Sequence, residues 1–339
     1  MTAMCADHPV LAEVVRSGFA ESFHRGTLIA LDADGRPLLQ AGPVDAPIFA
    51  RSSNKPLQAA AMVRCGLELD GKLLALAAAS HSGEHFHVTG VREILSRAGL
   101  GDDALQCPAA LPMDEPSLHE LLRGGGHADR LHMNCSGKHA AMLATCVAAG
   151  WPVATYLEPG HPLQVQIRLE IERLAGEQVS AVGVDGCGAP LFALSVTGLA
   201  RAFRRLALSA PGSAERKVAD AMRAYPDWTS GSTRPERALM EAVPGLLLKS
   251  GAEGVEGFAL PDGRAGAFKI EDGSARARPP VTVALLRMLG AAGDPGTDRA
   301  ALDRLSTSPV TGGGRIVGQV RAILPGAGER PATVTRAPI

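Results

Sequence analysis

The apolar run Thr27-Leu28-Ile29-Ala30-Leu31, the polar turn Asp32-Ala33-Asp34-Gly35 and then Pro37-Leu38-Leu39 predict a strand, turn and strand over 26–42, after an amphipathic start. A second strand-rich stretch spans 246–271, where short apolar segments are separated by Gly and Asp turn signals such as Asp262-Gly263. A last candidate strand is 315–324. Between these, apolar residues recur with helical period over 55–65, 72–79, 88–98, 139–149, 162–175, 193–206 and 215–225. Strands at both chain ends with helices between them predict an α+β fold. One antiparallel sheet is drawn from about 9–50 and 246–324, a central helical region from about 52–245, together one unit over 1–324, with a loose tail over 325–339.

Composition narrows the class. At 339 residues and 46% hydrophobic content the chain can bury a large core, which excludes disordered and fibrous proteins. The 34 basic and 35 acidic residues are interspersed, so neither nucleic acid nor a membrane surface is an expected partner. Met1 to His8 has neither the basic nor the apolar region of a secretory signal, and the expected location is the cytoplasm. Six cysteines (Cys5, Cys65, Cys107, Cys135, Cys146, Cys187) are too sparse for a disulfide framework and are read as thiols or metal ligands.

Four polar stretches could carry chemistry. In Arg51-Ser52-Ser53-Asn54-Lys55-Pro56, Ser52 and Lys55 lie three apart before a helical pattern. On a helical turn that spacing sets hydroxyl and amine on one face, beside the N–H groups of a helix N-terminus that can hold an oxyanion. The amine must be partly neutral, which requires burial or a second cation. The alternative is a plain helix cap built from Ser52, Ser53 or Asn54.

In Ser80-His81-Ser82-Gly83-Glu84, a second serine on an interhelical turn can shuttle a proton, or a serine can cap the next helix. His81, His85 and His87 have a spacing that fits no usual metal site. Lys249-Ser250-Gly251 and Lys269-Ile270-Glu271-Asp272-Gly273 each end a strand, and either lysine could supply a fixed cation beside a site.

Asn134-Cys135-Ser136-Gly137-Lys138-His139 and Asp185-Gly186-Cys187-Gly188-Ala189-Pro190 place two cysteines in polar, glycine-rich turns suited to zinc. By residue chemistry the third ligand would be His132 or His139. Gly137-Lys138-His139 lacks the other residues of a phosphate-binding loop, and Thr311-Gly312-Gly313-Gly314 lies too near the C-terminus to open a catalytic strand.

Taken in order, these stretches resemble the class 3, thermolabile type of L-asparaginase over nearly the whole chain. Glu21-Ser22-Phe23-His24-Arg25-Gly26, His161-Pro162-Leu163-Gln164 and Gly251-Ala252-Glu253-Gly254-Val255 add to the likeness. The resemblance implies a serine β-lactamase-like (penicillin-binding-protein-like) α+β fold, usually dimeric, that converts asparagine to aspartate and ammonia. It implies Ser52 as nucleophile, Lys55 as base, and a second tandem of Ser80 (or Ser82) with Lys269, Lys249 being the alternative lysine. It also implies zinc on Cys135, Lys138 and Cys187, a zinc that orients substrate, and a pocket lined by Arg51 and Asp185. His81, Ser82, Asn134 and Lys249 complete the candidate substrate-binding set. One departure is Gly231-Ser232-Thr233-Arg234-Pro235-Glu236-Arg237, where the family usually shows an Arg-Phe-Asp-Thr-like run. Rivals are a glutaminase or β-lactam hydrolase on the same fold, and a sensor that binds an amino acid or zinc without chemistry.

Overall fold

In the computed structural model, which describes residues 8–325, the chain opens with strands β1 (Val10–Arg16), β2 (Phe19–Leu31), β3 (Pro37–Ala41) and β4 (Pro47–Phe49). After a run of helices come β5 (Ala181–Val184) and β6 (Pro190–Ser195), and then β7 (Leu247–Ser250), β8 (Val255–Ala259), β9 (Ala265–Ile270), β10 (Thr307–Gly312) and β11 (Arg315–Ala322). The main sheet runs β10-β11-β1-β2-β9-β8-β7, with β3 also paired to β2. All of its pairings are antiparallel. The expected sheet from both chain ends is therefore present in an α+β structure.

Long strand β2 ties the two ends together. Its first half pairs with β1 and its second half with β3 and β9. At the changeover stands Gly26, where any Cβ would strike Leu11 Cδ1 at 2.9 Å and Ile270 Cα at 3.2 Å. The helix Val196–Leu208 covers one face of the sheet through the stripe Val196, Leu199, Ala200, Phe203 and Leu206, all buried. Phe203 sits over Gly257 of β8, within 2.6 Å of where a Cβ would be, and its full burial contributes about 1.5–3 kcal/mol. A side chain at position 257 would lift that helix off the sheet.

Two expectations need correction. The predicted helix 193–206 begins at Val196, because Pro190–Ser195 is a fully buried strand between β4 and β5 in a second, three-stranded sheet. Ser195 ends that strand and caps the helix by accepting from Gly198 N at 2.8 Å. The stretch 246–324, read as sheet, also carries helices Arg278–Met288, whose apolar residues form no one-sided stripe, and Arg299–Leu305, a short helix with Leu302 buried. Thr311-Gly312-Gly313-Gly314 closes the β10–β11 hairpin, with Gly313 and Gly314 at φ 56° and 73°. The expected tail lies, from residue 326 onward, outside the described residues. No helix among those residues is long and apolar enough to cross a membrane.

Candidate active site

Strand β4 delivers the chain through buried Ala50 into a tight turn, Arg51–Asn54, that leads straight into the helix Lys55–Arg64. Arg51 takes a left-handed φ of 52°, a conformation that costs a non-glycine residue of order 1–3 kcal/mol. Neither this turn nor the following helix has a side-chain N-cap, so the capping explanation of Ser52-Ser53-Asn54 does not hold. Ser53 Oγ instead donates to Ala50 O at 2.6 Å. The end of β7 presses on the same turn. A Cβ on Gly251 would lie 2.8 Å from Ala50 O and 3.1 Å from Ser53 N, so only glycine lets the strand approach. Ser52, half-buried, thereby lines a cavity of about 450 Å³ together with Ser80 and Asn134.

Lys55 is buried beneath Ser80. Its Nζ donates to Ala79 O at 2.5 Å, Ser80 Oγ at 3.0 Å and Cys135 Sγ at 3.0 Å, three acceptors that match the three donors of an ammonium. A second lysine, Lys249 on β7, is also buried and donates to Ser250 O at 2.7 Å. Burial first, and then the nearby charge of Lys55, push Lys249 down to about 7. Lys249 can thus gain or lose its proton near neutrality.

Lys269 lies elsewhere. Its Nζ donates to Glu253 O and Ile270 O, each at 2.6 Å. It faces a neighbouring concavity with Ile48, Phe49, Arg51 and Glu253, and is not among the residues lining the Ser52 cavity. The expected Ser80–Lys269 tandem is not formed; Ser80 meets Lys55. The sheet register explains it, because β9 is an inner strand that sets Lys269 opposite Thr27 and Val255, whereas edge strand β7 ends against the Ser52 turn.

His81 and Ser82, expected to bind substrate, are buried and do not line the Ser52 cavity. His81 is fully buried, with Nε2 against Ser136 Oγ at 2.8 Å and Nδ1 accepting from Gly83 N at 3.1 Å, which fixes a neutral tautomer. Burial, then His87 and Lys55, hold it well below its ordinary value. Ser82 Oγ donates to Ser230 O at 2.9 Å. Both side chains fasten loops together. Asn134 does line the cavity.

Arg51 lines the second concavity, and its Nε donates to Asp185 Oδ1 at 2.8 Å. Burial would raise the Asp185 carboxyl, but Lys138 and Arg51 outweigh it and hold it low. The pair is spent on itself and does not line the Ser52 cavity.

Behind Lys55, the first turn of the helix Ser136–Ala149 and the loop after β5 bring Cys135, Lys138 and Cys187 together. Donor atoms of Cys135, Asp185 and Cys187 lie within 4.8 Å of one another, and Lys138 Nζ is 3.1 Å from Cys187 Sγ. The Cys187 thiol, then Lys55 and Lys138, hold Cys135 well below the ordinary thiol range against its burial. Burial would lower Lys138, yet Cys187, Cys135 and Asp185 together raise it. Of the alternative histidines, His132 Nδ1 pairs with Asp129 at 2.8 Å. His139 Nδ1 pairs with Tyr156 at 2.7 Å, leaving its buried Nε2 without a hydrogen-bond partner beside Cys187. Two thiols, a carboxylate and an amine around one buried point, next to an orphaned imidazole nitrogen, fit a thiophilic metal such as zinc.

The opposite wall of the cavity is charged. Glu236 Oε1 accepts from Ser250 Oγ at 2.6 Å and from Arg278 Nη1 at 2.9 Å, and Arg278 Nη1 also reaches Glu256 Oε2 at 3.3 Å. Thr282 Oγ1 donates to Glu256. Burial would raise Glu236, but Arg278, Arg234 and the Ser250 hydroxyl bring it to about 2, while burial pushes Glu256 up to about 7. Sequence reading missed this wall. The only signal was the unusual run 231–237, and Arg278 sits on a helix that was not predicted.

The sequence model described as L-asparaginase II matches residues 12–322 of the chain. No curated protein sequence matches at a significant level. Among solved structures, the chain is similar to Mglu in its native form, with 16% identity and a TM-score of 0.42, over 80% of this chain and 64% of Mglu. It is also similar to a Bacillus glutaminase, with 11% identity and a TM-score of 0.43, over 84% of this chain and 93% of that one. The chain thus spans less than two thirds of Mglu's length, and at such distance neither likeness bears on the chemistry of the site.

Proposed function

The chain belongs to the L-asparaginase II family, and from that premise we propose that it hydrolyses the side-chain amide of L-asparagine to L-aspartate and ammonia. The observation that carries this reading is one cavity lined by Ser52 and Ser80, with buried Lys55 Nζ at 3.0 Å from Ser80 Oγ.

Ser52 Oγ attacks the amide carbon. Its proton passes to the lysine pair, Lys55 and Lys249, of which Lys249 is brought to about 7 by burial and then by the charge of Lys55. Ser80, bonded to Lys55, returns the proton to the departing nitrogen, ammonia leaves, and water then cleaves the acyl-Ser52 ester by the same groups acting in reverse. Cys135, Lys138 and Cys187 would hold a zinc ion, which when bound supplies a fixed positive charge that orders the polar groups around the substrate. The same reading carries a cytoplasmic homodimer, checked by sedimentation of the purified protein and by cell fractionation.

Ammonia release from L-asparagine and L-glutamine by the wild type and by Ser52→Ala tests the proposal. Asparagine turnover that vanishes in the variant supports it. A preference for glutamine makes the chain a glutaminase with the same machinery. Wild-type turnover in a folded Ser52→Ala sinks the assignment of the nucleophile.

A further inference from the structure

Glu236 is 5% exposed and lines the Ser52 cavity, yet only one of its carboxylate oxygens is used. Oε1 takes the hydrogen bonds from Ser250 and Arg278, while Oε2 has no hydrogen-bond partner. Arg234 Nε stands 3.5 Å from Oε2, an ion pair without a hydrogen bond, and that Nε is itself without a hydrogen-bond partner. A buried acceptor and a buried donor are therefore paired in charge while each keeps its hydrogen-bonding position unfilled. Buried polar atoms are rarely left so unless something else completes them.

The surrounding charge selects the occupant. Arg278 is shared between Glu236 and Glu256 and Arg234 reaches Glu236 only at 3.5 Å, so the hydrogen-bonding capacity of Oε2 is left over. Glu236 is ionised at any physiological pH, since its value is brought to about 2. A cationic donor is the natural complement of Oε2, and an anion that of Arg234, which is about a third exposed toward the cavity. An ammonium and a carboxylate held on one carbon, side by side, is the headgroup of an α-amino acid. Ser250, which grips Glu236, precedes the Gly251 that packs on the Ser52 turn, so this headgroup site and the nucleophile are joined by one short, rigid segment.

We propose that Glu236 Oε2 receives the α-ammonium of the substrate and Arg234 its α-carboxylate, making these two residues the determinants that select an α-amino acid amide. The inference rests on the amidohydrolase reading of Ser52, and it replaces the Arg51–Asp185 pair, which is bound to itself, as the headgroup clamp.

Three amides separate the contributions: L-asparagine, succinamate (the same acid without the amino group) and β-alaninamide (the amino group without the carboxylate). Wild type prefers asparagine to succinamate by roughly a hundredfold or more, as buried polar groups reject an analogue that leaves them unpaired. In Glu236→Gln that preference falls by at least about tenfold. In Arg234→Gln the KM for asparagine and for succinamate rises together, while the smaller turnover of β-alaninamide changes much less. Arg234 is partly exposed, so its variant folds even if Glu236→Gln, which disturbs the buried pair with Arg278, does not.

Unchanged discrimination in a folded Glu236→Gln, or in Arg234→Gln a KM for asparagine equal to wild type, overturns the inference. If wild type releases no ammonia at all, the reading of Ser52 fails by itself. Calorimetric binding of L-aspartate against succinate to wild type and both variants then decides the clamp. A wild type that binds both equally, or neither, overturns it, and a preference lost in Glu236→Gln sustains it.

Discussion

Replacing Lys249 by methionine should produce a protein that is more stable and nearly inactive. Lys249 is buried, with an ordinary value of 10.5 and a folded value of about 7. Between those two pH values the unfolded chain binds the proton and the folded chain does not, so stability rises with pH across that window; below about pH 7 both states are protonated and the folded state bears the whole burden. At about 1.4 kcal/mol per pH unit, the interval from 10.5 to about 7 amounts to ~5 kcal/mol. Methionine removes the charge but leaves Ser250 O without its donor, which costs about 1–3 kcal/mol. Lys249→Met should therefore exceed wild type by about 2–4 kcal/mol in urea unfolding near pH 6.5. The gap should shrink by ~3 kcal/mol near pH 9.5, where wild type has shed most of its penalty. Ammonia release should fall by about a hundredfold or more, as expected when a proton acceptor is lost. A variant that is less stable than wild type at pH 6.5, with a gap independent of pH, would refute the claim that Lys249 is held near neutrality by its burial.

Lys269→Met should keep kcat/KM within about threefold of wild type, since Lys269 Nζ binds Glu253 O and Ile270 O outside the Ser52 cavity; a loss as large as that of Lys249→Met would return it to the machinery. Gly251→Ala should lower kcat by about a hundredfold, because its Cβ would lie 2.8 Å from Ala50 O and push the turn that aims Ser52; wild-type kcat would show that the turn yields freely. Purified protein should carry zinc by elemental analysis and lose it in Cys187→Ser, with a lower melting temperature; equal zinc content in the two would place any metal away from these thiols.

The sequence by itself determined a good deal here. Short apolar runs bounded by turn residues marked the strands around 26–42 and 246–271, because a strand buried on both faces reads as a continuous apolar segment. Helical stripes located Lys55–Arg64 and Pro162–Ala175 to within a residue. Ser52, Ser80 and Cys135 were visible as polar residues in turns where burial alone would not put them. What only the tertiary structure decided was which of these meet. Two lysines ended two strands of one sheet, β7 and β9, and looked equivalent in the chain, yet antiparallel register about the intervening β8 carried Lys249 to the Ser52 turn and Lys269 away from it. His81 and Ser82 were as polar as Ser80 in sequence, and packing turned them inward to tie loops. The Glu236–Arg278–Glu256 wall joins residues from a helix and a strand with those of a helix that has no amphipathic signature. Local periodicity reports which face of an element is buried, while partners across the fold are set by strand register and helix packing, which no window of sequence contains.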